Sequence, residues 1–157
     1  MVRIKTDCVF REKKWLELES RKAFEKRARA LLGRALEVLE VKTKAKIELT
    51  VIFTNDADMK QINGQFRQAN APTNVLSFPL YEREFFDLWG EEHIPLGDVI
   101  FSLGVIAEEA EGLKITVQKH WERLLAHGIL HLLGFDHNSD EEAENMEKLE
   151  EKILGQK

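Results

Sequence analysis

The chain has one cysteine, Cys8, so an internal disulfide is excluded and a reducing compartment fits best. Cys8 sits in an early strand-like run, where a free cysteine acts as a small buried hydrophobe. No stretch approaches the ~18–20 consecutive apolar residues that a membrane span needs. Residues Met1 to Asp7 alternate apolar with charged side chains and lack the apolar core of a secretory signal. A cytoplasmic protein without a membrane partner is therefore expected. There is no internal repeat and no low-complexity segment. A global basic charge is also missing, since the formal net charge is −5. The charge is unevenly placed, however. Residues 1–46 carry 14 Lys/Arg against 7 Asp/Glu, whereas residues 47–157 carry 9 against 21. That asymmetry permits a basic face on an acidic protein, although a solvated helix surface produces the same count.

What is present is an ordinary globular composition, 43% hydrophobic and 32% charged over 157 residues, which fits one domain spanning 1–157 with a normal core. Five histidines occur, and three of them fall within eleven residues: His127, His131 and His137. The first two are four apart and share a helix face. Leu124, Leu125, Leu130 and Leu133 give that helix its apolar positions, and Gly134 supplies the residue that readily ends it. A chain that turns back there can bring His137 to the same face. Three imidazoles with a fourth position open form a catalytic zinc arrangement, whereas structural zinc is usually closed by thiolates.

This spacing equals that of the metzincin protease signature, in which a glutamate follows the first histidine as general base. Here that position is Gly128, which cannot accept a proton. The metal geometry is kept and the usual peptidase base is not. His120 lies two turns before His127, about 10 Å along the axis, too far to be a ligand. His93 has no partner at metal spacing and reads as a surface histidine.

The elements follow from periodicity. Val2–Phe10 alternates as a first strand. Residues 13–39 read as one long helix, with Trp15, Leu16, Phe24, Ala28, Leu31, Leu32, Ala35 and Leu39 inward and a basic outer face. Lys46–Thr54 is the clearest strand. Thr54 or Asn55 caps a helix carrying Met59, Ile62 and Phe66 inward and leading to Arg67. Residues 68–74 form a loop, Val75–Pro79 a short strand, and Tyr81–Pro95 a long loop or hairpin in which Phe85, Phe86 and Trp89 pin the segment. Leu96–Ser102 is the last strand. Ser102 caps a helix with Gly112 near its end, Thr116 opens the metal helix, and Ser139 with Glu142 forms a capping box for a helix over Asp140–Leu154. The order β-α-β-α-β-β-α-α-α argues an α+β domain. It would hold a single mixed β-sheet of about four strands with packed helices and a metzincin-like three-His metal helix and turn.

Four stretches then stand together: Asn63-Gly-Gln-Phe-Arg67, Pro72-Thr-Asn-Val-Leu-Ser-Phe-Pro79, Leu96-Gly-Asp98, and His127 through Gly134-Phe-Asp-His137. In order and spacing they cover roughly residues 50–150, and they resemble the YbeY family of single-strand-specific endoribonucleases that act as rRNA maturation factors. The family's usual acidic residue is Asn74 here and its usual tyrosine is Phe135; neither change removes a ligand. The resemblance implies one Zn2+ ion (or another imidazole-preferring divalent metal) on His127, His131 and His137, with Arg67 needed for activity. It further implies single-stranded RNA or an rRNA precursor as substrate, a role in ribosome quality control, and partners in the ribosome or its assembly proteins. Arg67 would clamp the phosphate with its planar donor fork. Asp136 would either orient an imidazole or cap the turn. Two rival readings remain beside this one. A metallopeptidase would have to draw its base from Asp136 or Asp98. A non-catalytic, zinc-stabilised ribosome-assembly module would need a fourth protein ligand.

Overall fold

A computed structural model describes residues 2–66, 71–81 and 91–155. The chain runs β1 (Arg3–Phe10), a 3-10 turn (Lys13–Glu17), α1 (Arg21–Val38), β2 (Lys46–Thr54), α2 (Asp56–Phe66), β3 (Val75–Pro79), β4 (His93–Ser102), α3 (Leu103–Leu113), α4 (Val117–Leu132) and α5 (Asp140–Ile153). The four strands form one mixed sheet in the order β1-β2-β4-β3. β1, β2 and β4 are parallel, and β3 returns antiparallel along β4. The α+β class and the order of elements agree with the periodicity. Among the described residues no helix is long and apolar enough to cross a membrane.

Two boundaries differ from expectation. The single helix over 13–39 is broken, because Ser20 accepts from the Ala23 N–H and starts α1 afresh. The preceding turn serves to bury Trp15, whose indole N–H donates to the Thr54 carbonyl at 2.9 Å. β4 begins at His93 rather than at Leu96, because His93, Ile94 and Pro95 pair with Lys46, Ile47 and Glu48 of β2. Pro95 is tolerated because the register shifts just after it, where Gly97 takes a φ of +134°. A Cβ on Gly97 would lie 2.2 Å from the Phe78 carbonyl oxygen, so only glycine fits. α3 ends at Leu113, next to Gly112 as expected, where Lys114 turns left-handed. Ser102 does not cap α3 with its own side chain. Its hydroxyl donates to Asp56, which also accepts the Val105 N–H at 3.1 Å. Phe85, Phe86 and Trp89 lie outside the described residues.

The alternation of each strand divides the sheet into two faces. One carries Cys8, Ile47, Leu49, Val51, Phe53, Val99 and Phe101 against α1, α4 and α5. Rings of Phe10, Trp15, Phe24, Phe53, Phe101 and Trp121 meet here, Phe10 and Phe53 stacked at 4.4 Å and others tilted or edge-on, such as Phe24–Trp121 at 5.2 Å between centroids. The other face holds a small cluster, Met59, Leu76 and Ile100, with Ile52, Ile62 and Phe78 beside it.

Candidate metal centre

α4 is positioned by its ends and by one close contact. Thr116 accepts from the Lys119 N–H and starts the helix. At the other end Gly134 adopts φ +100°, and the Phe135 and Gly134 N–H groups donate back to the Leu130 and His131 carbonyls. This pair of bonds is a Schellman stop, so the glycine ends the helix as its position suggested. Midway, a Cβ on Gly128 would come within 2.9 Å of Val99 Cγ1 and 3.1 Å of Ser77 Oγ. Gly128 therefore lets α4 lie directly on β3 and β4. It is a packing requirement as well as a missing base, and only the tertiary contact reveals it.

The three histidines converge. Each offers one ring nitrogen, and these atoms all lie within 4.8 Å of one another. Ring centroids are 4.5, 5.5 and 5.2 Å apart for His127–His131, His127–His137 and His131–His137. His127 and His131 are half-buried and His137 is exposed, so the group opens to solvent. The Nδ1 atoms of the first two face acceptors: the Glu150 carboxylate of α5 for His127, and the Phe135 carbonyl at 3.0 Å for His131. Each Nδ1 thus carries the proton, leaving the Nε2 lone pairs turned to each other at 2.9 Å. Two lone pairs at that distance repel, and a cation between them removes the repulsion. Tetrahedral Zn–N bonds of ~2.0–2.1 Å place two nitrogens about 3.3 Å apart, a few tenths from what is found. The donor set therefore fits a divalent metal. Burial, and next the neighbouring His127 imidazole, hold His131 below the ordinary histidine range, which keeps it neutral and able to ligate.

Glu150 was not singled out by spacing. The signal available was weak: it lies one turn beyond the inward-facing Met146. Its carboxylate performs the orienting role considered for Asp136. Asp136 instead accepts from the His137 N–H at 2.8 Å and from the Asn138 side chain at 2.9 Å, stapling the turn. The first of these bonds is the main reason that its carboxyl is held below the ordinary range. Met146 is a member of the main core.

The remaining candidates lie apart. His120 is buried, with Nε2 2.9 Å from Glu109, which also accepts from Asn74. His93 pairs with Glu48 at 2.6 Å on the sheet. Asp98 alternates with Val99 and so faces the sheet side opposite Gly128, beside Phe78 and Thr50. Burial raises its carboxyl. Cys8 is also remote from the group, and burial and then the Glu25 carboxylate push its thiol up to about 12. Arg67 lies outside the described residues. It follows the last residue of α2, whose Asn63 donates to the Ala71 carbonyl at 2.7 Å.

Comparison with known proteins gives the family. A family model described as Endoribonuclease YbeY matches residues 10–157. The endoribonuclease YbeY of Bartonella bacilliformis is 44% identical over 113 residues, 71% of this chain and 69% of that protein. Its counterpart from Bartonella henselae is 45% identical over 107 residues, 68% of this chain and 66% of that protein. In each case the matched part of the chain spans about two thirds of the relative's length. The solution structure of TM1509 from Thermotoga maritima superposes with a TM-score of 0.55 at 28% identity, covering 99% of this chain and 90% of that one. With residues 10–157 inside the matched range, the chain belongs to the endoribonuclease YbeY family.

Proposed function

We propose that this chain is a metal-dependent endoribonuclease, with zinc as its ion, that cleaves single-stranded RNA phosphodiesters during rRNA maturation and ribosome quality control. Residues 1–157 act as one hydrolase domain in the cytoplasm, alongside the ribosome or its assembly proteins. The observation that carries the reading is the convergence of the three histidines with both Nδ1 atoms already committed to acceptors. His127, His131 and His137 would hold the ion, and Glu150 and the Phe135 carbonyl fix the first two rings. A bound divalent ion supplies Lewis acidity toward a phosphodiester oxygen or an attacking hydroxyl. Arg67 binds the phosphate and offsets charge that develops on its equatorial oxygens.

The peptidase alternative finds little support. No carboxylate fits at Gly128, whose Cα is pressed on Val99, and Asp98 points from the opposite side of the sheet. For the non-catalytic module, no fourth protein ligand joins the histidine group among the described residues. The test is cleavage of a labelled single-stranded RNA by metal-loaded protein beside Arg67→Ala and His131→Ala. Arg67→Ala is expected to lose about 100-fold or more in rate, and His131→Ala to fall to background, both with the fold retained. Undiminished cleavage by His131→Ala would sink the proposal.

A further inference from the structure

The helix beside the metal group is acidic. α5, which delivers Glu150 to His127, carries seven acidic residues against two lysines, and the whole chain is net negative. The basic residues lie at the other end of the sequence, and the fold gathers part of them. A groove opens at the starts of β1, β2 and β4, walled by the second half of α1 and by the connection between α1 and β2. Arg3, Arg29, Lys42, Lys44 and Lys46 line it over apolar Ile4 and Leu36. Three acids, Glu37, Glu91 and Glu92, share the rim, and Glu37 is engaged by Arg34 at 3.8 Å. Arg29, Lys42, Lys44 and Lys46 make no ion pair among the described residues.

The groove is continued along α1. Lys22, Lys26 and Arg29 are exposed and spaced by four and three residues, so they form one stripe about 10 Å long that ends at the groove. No lining residue belongs to α4, α5 or β3, the elements that build the metal centre. Cations in a row with no ion pair among the described residues, on a protein whose net charge opposes such a partner, suit a linear polyanion better than a compact one.

We propose that this groove and stripe bind the sugar-phosphate backbone of single-stranded RNA away from the scissile bond. The protein would hold its substrate here, while the acidic surroundings of the metal group admit only the segment to be cut. This inference rests on the endoribonuclease reading for the identity of the polyanion. Binding in such a site neutralises phosphates without reading bases, so it depends on salt and on RNA length.

The experiment compares the full-length protein with Arg29→Glu/Lys42→Glu/Lys44→Glu and with the milder Lys42→Gln/Lys44→Gln, both checked by thermal melting. Fluorescence anisotropy measures the affinity for a 24-nucleotide single-stranded RNA across a salt series, and a five-nucleotide RNA reports cleavage. The charge-reversed protein should lose about tenfold or more in affinity. Its salt slope should be shallower by about 2, at roughly 0.7 for each phosphate that is no longer neutralised. The glutamine variant should lose less. Cleavage of the short RNA should be unchanged in both. Wild-type affinity and slope in the glutamate variant, or in the glutamine variant if the other unfolds, would overturn the inference. So would poly-glutamate competing as well as RNA at equal charge, which would assign the groove to an acidic protein. A wild type that binds the long RNA with this slope but cleaves neither RNA would sink the endoribonuclease reading and leave the groove standing.

Discussion

The two faces of the sheet are covered very differently. On one side, three helices and a cluster of six aromatic rings bury Trp15, Phe24, Phe53, Phe101 and Trp121 completely. On the other, among the described residues, α2 covers a cluster of three buried ones. Farther from α2 that face presents Arg3, Lys5 and Asp7 of β1, all exposed. The histidine group belongs to the heavily packed side, on a helix pressed backbone-close onto β3 and β4. The difference teaches where geometric precision comes from. A metal ion would need the three histidines to meet closely, and dense packing restrains the helix that carries two of them.

The contrast can be broken most directly by truncating one large side chain on each face. Trp121→Ala should cost about 3–5 kcal/mol of stability in denaturant unfolding, whereas Met59→Ala should cost about 2, the low end for a buried methionine. Equal losses would mean that the thinly covered face matters as much as the other. A second comparison uses glycines. Gly112→Ala, with open space around the new Cβ, should stabilise by about 0.5–1 kcal/mol. Gly128→Ala meets Val99 and Ser77 and should lose about 1–3 kcal/mol while weakening metal binding, read by melting and by metal titration. If both glycines respond alike, the contact of α4 with the sheet is looser than described.

Smaller effects sharpen the picture. Glu150→Ala frees the His127 ring and should reduce metal affinity about 10–100-fold, with Glu150→Gln losing less because its carbonyl still accepts from Nδ1. Calorimetric titration that finds no change would remove Glu150 from the site. Asp98 tests the thin face through pH. Burial raises its folded-state carboxyl above the unfolded value, so folding takes up a proton in that window. The group then costs nothing below the ordinary carboxylate range and costs stability once pH rises through its raised value. Asp98→Asn should give a small rise in melting temperature at neutral pH that disappears in acid. A loss at neutral pH would contradict this account.

Much of the fold was legible because it rests on local rules. Strand alternation, the Thr116 and Ser139 caps and the Gly134 stop all act within a few residues. The misses are equally physical. Ser20 interrupts the first helix because Trp15 finds a carbonyl on β2, thirty-nine residues away. Pro95 is held in a strand because a neighbouring register shift accommodates it.

The site divides in the same way. Spacing alone put His127 and His131 on one helix face, with a glycine to turn His137 toward them, because ligand geometry on a helix is set by its period. Glu150 at the back of His127, the pressing of Gly128 onto Val99, and the gathering of Lys42, Lys44 and Arg3 around one groove could be decided only by tertiary structure. Each depends on where separate elements meet, and that is settled by how their apolar faces pack.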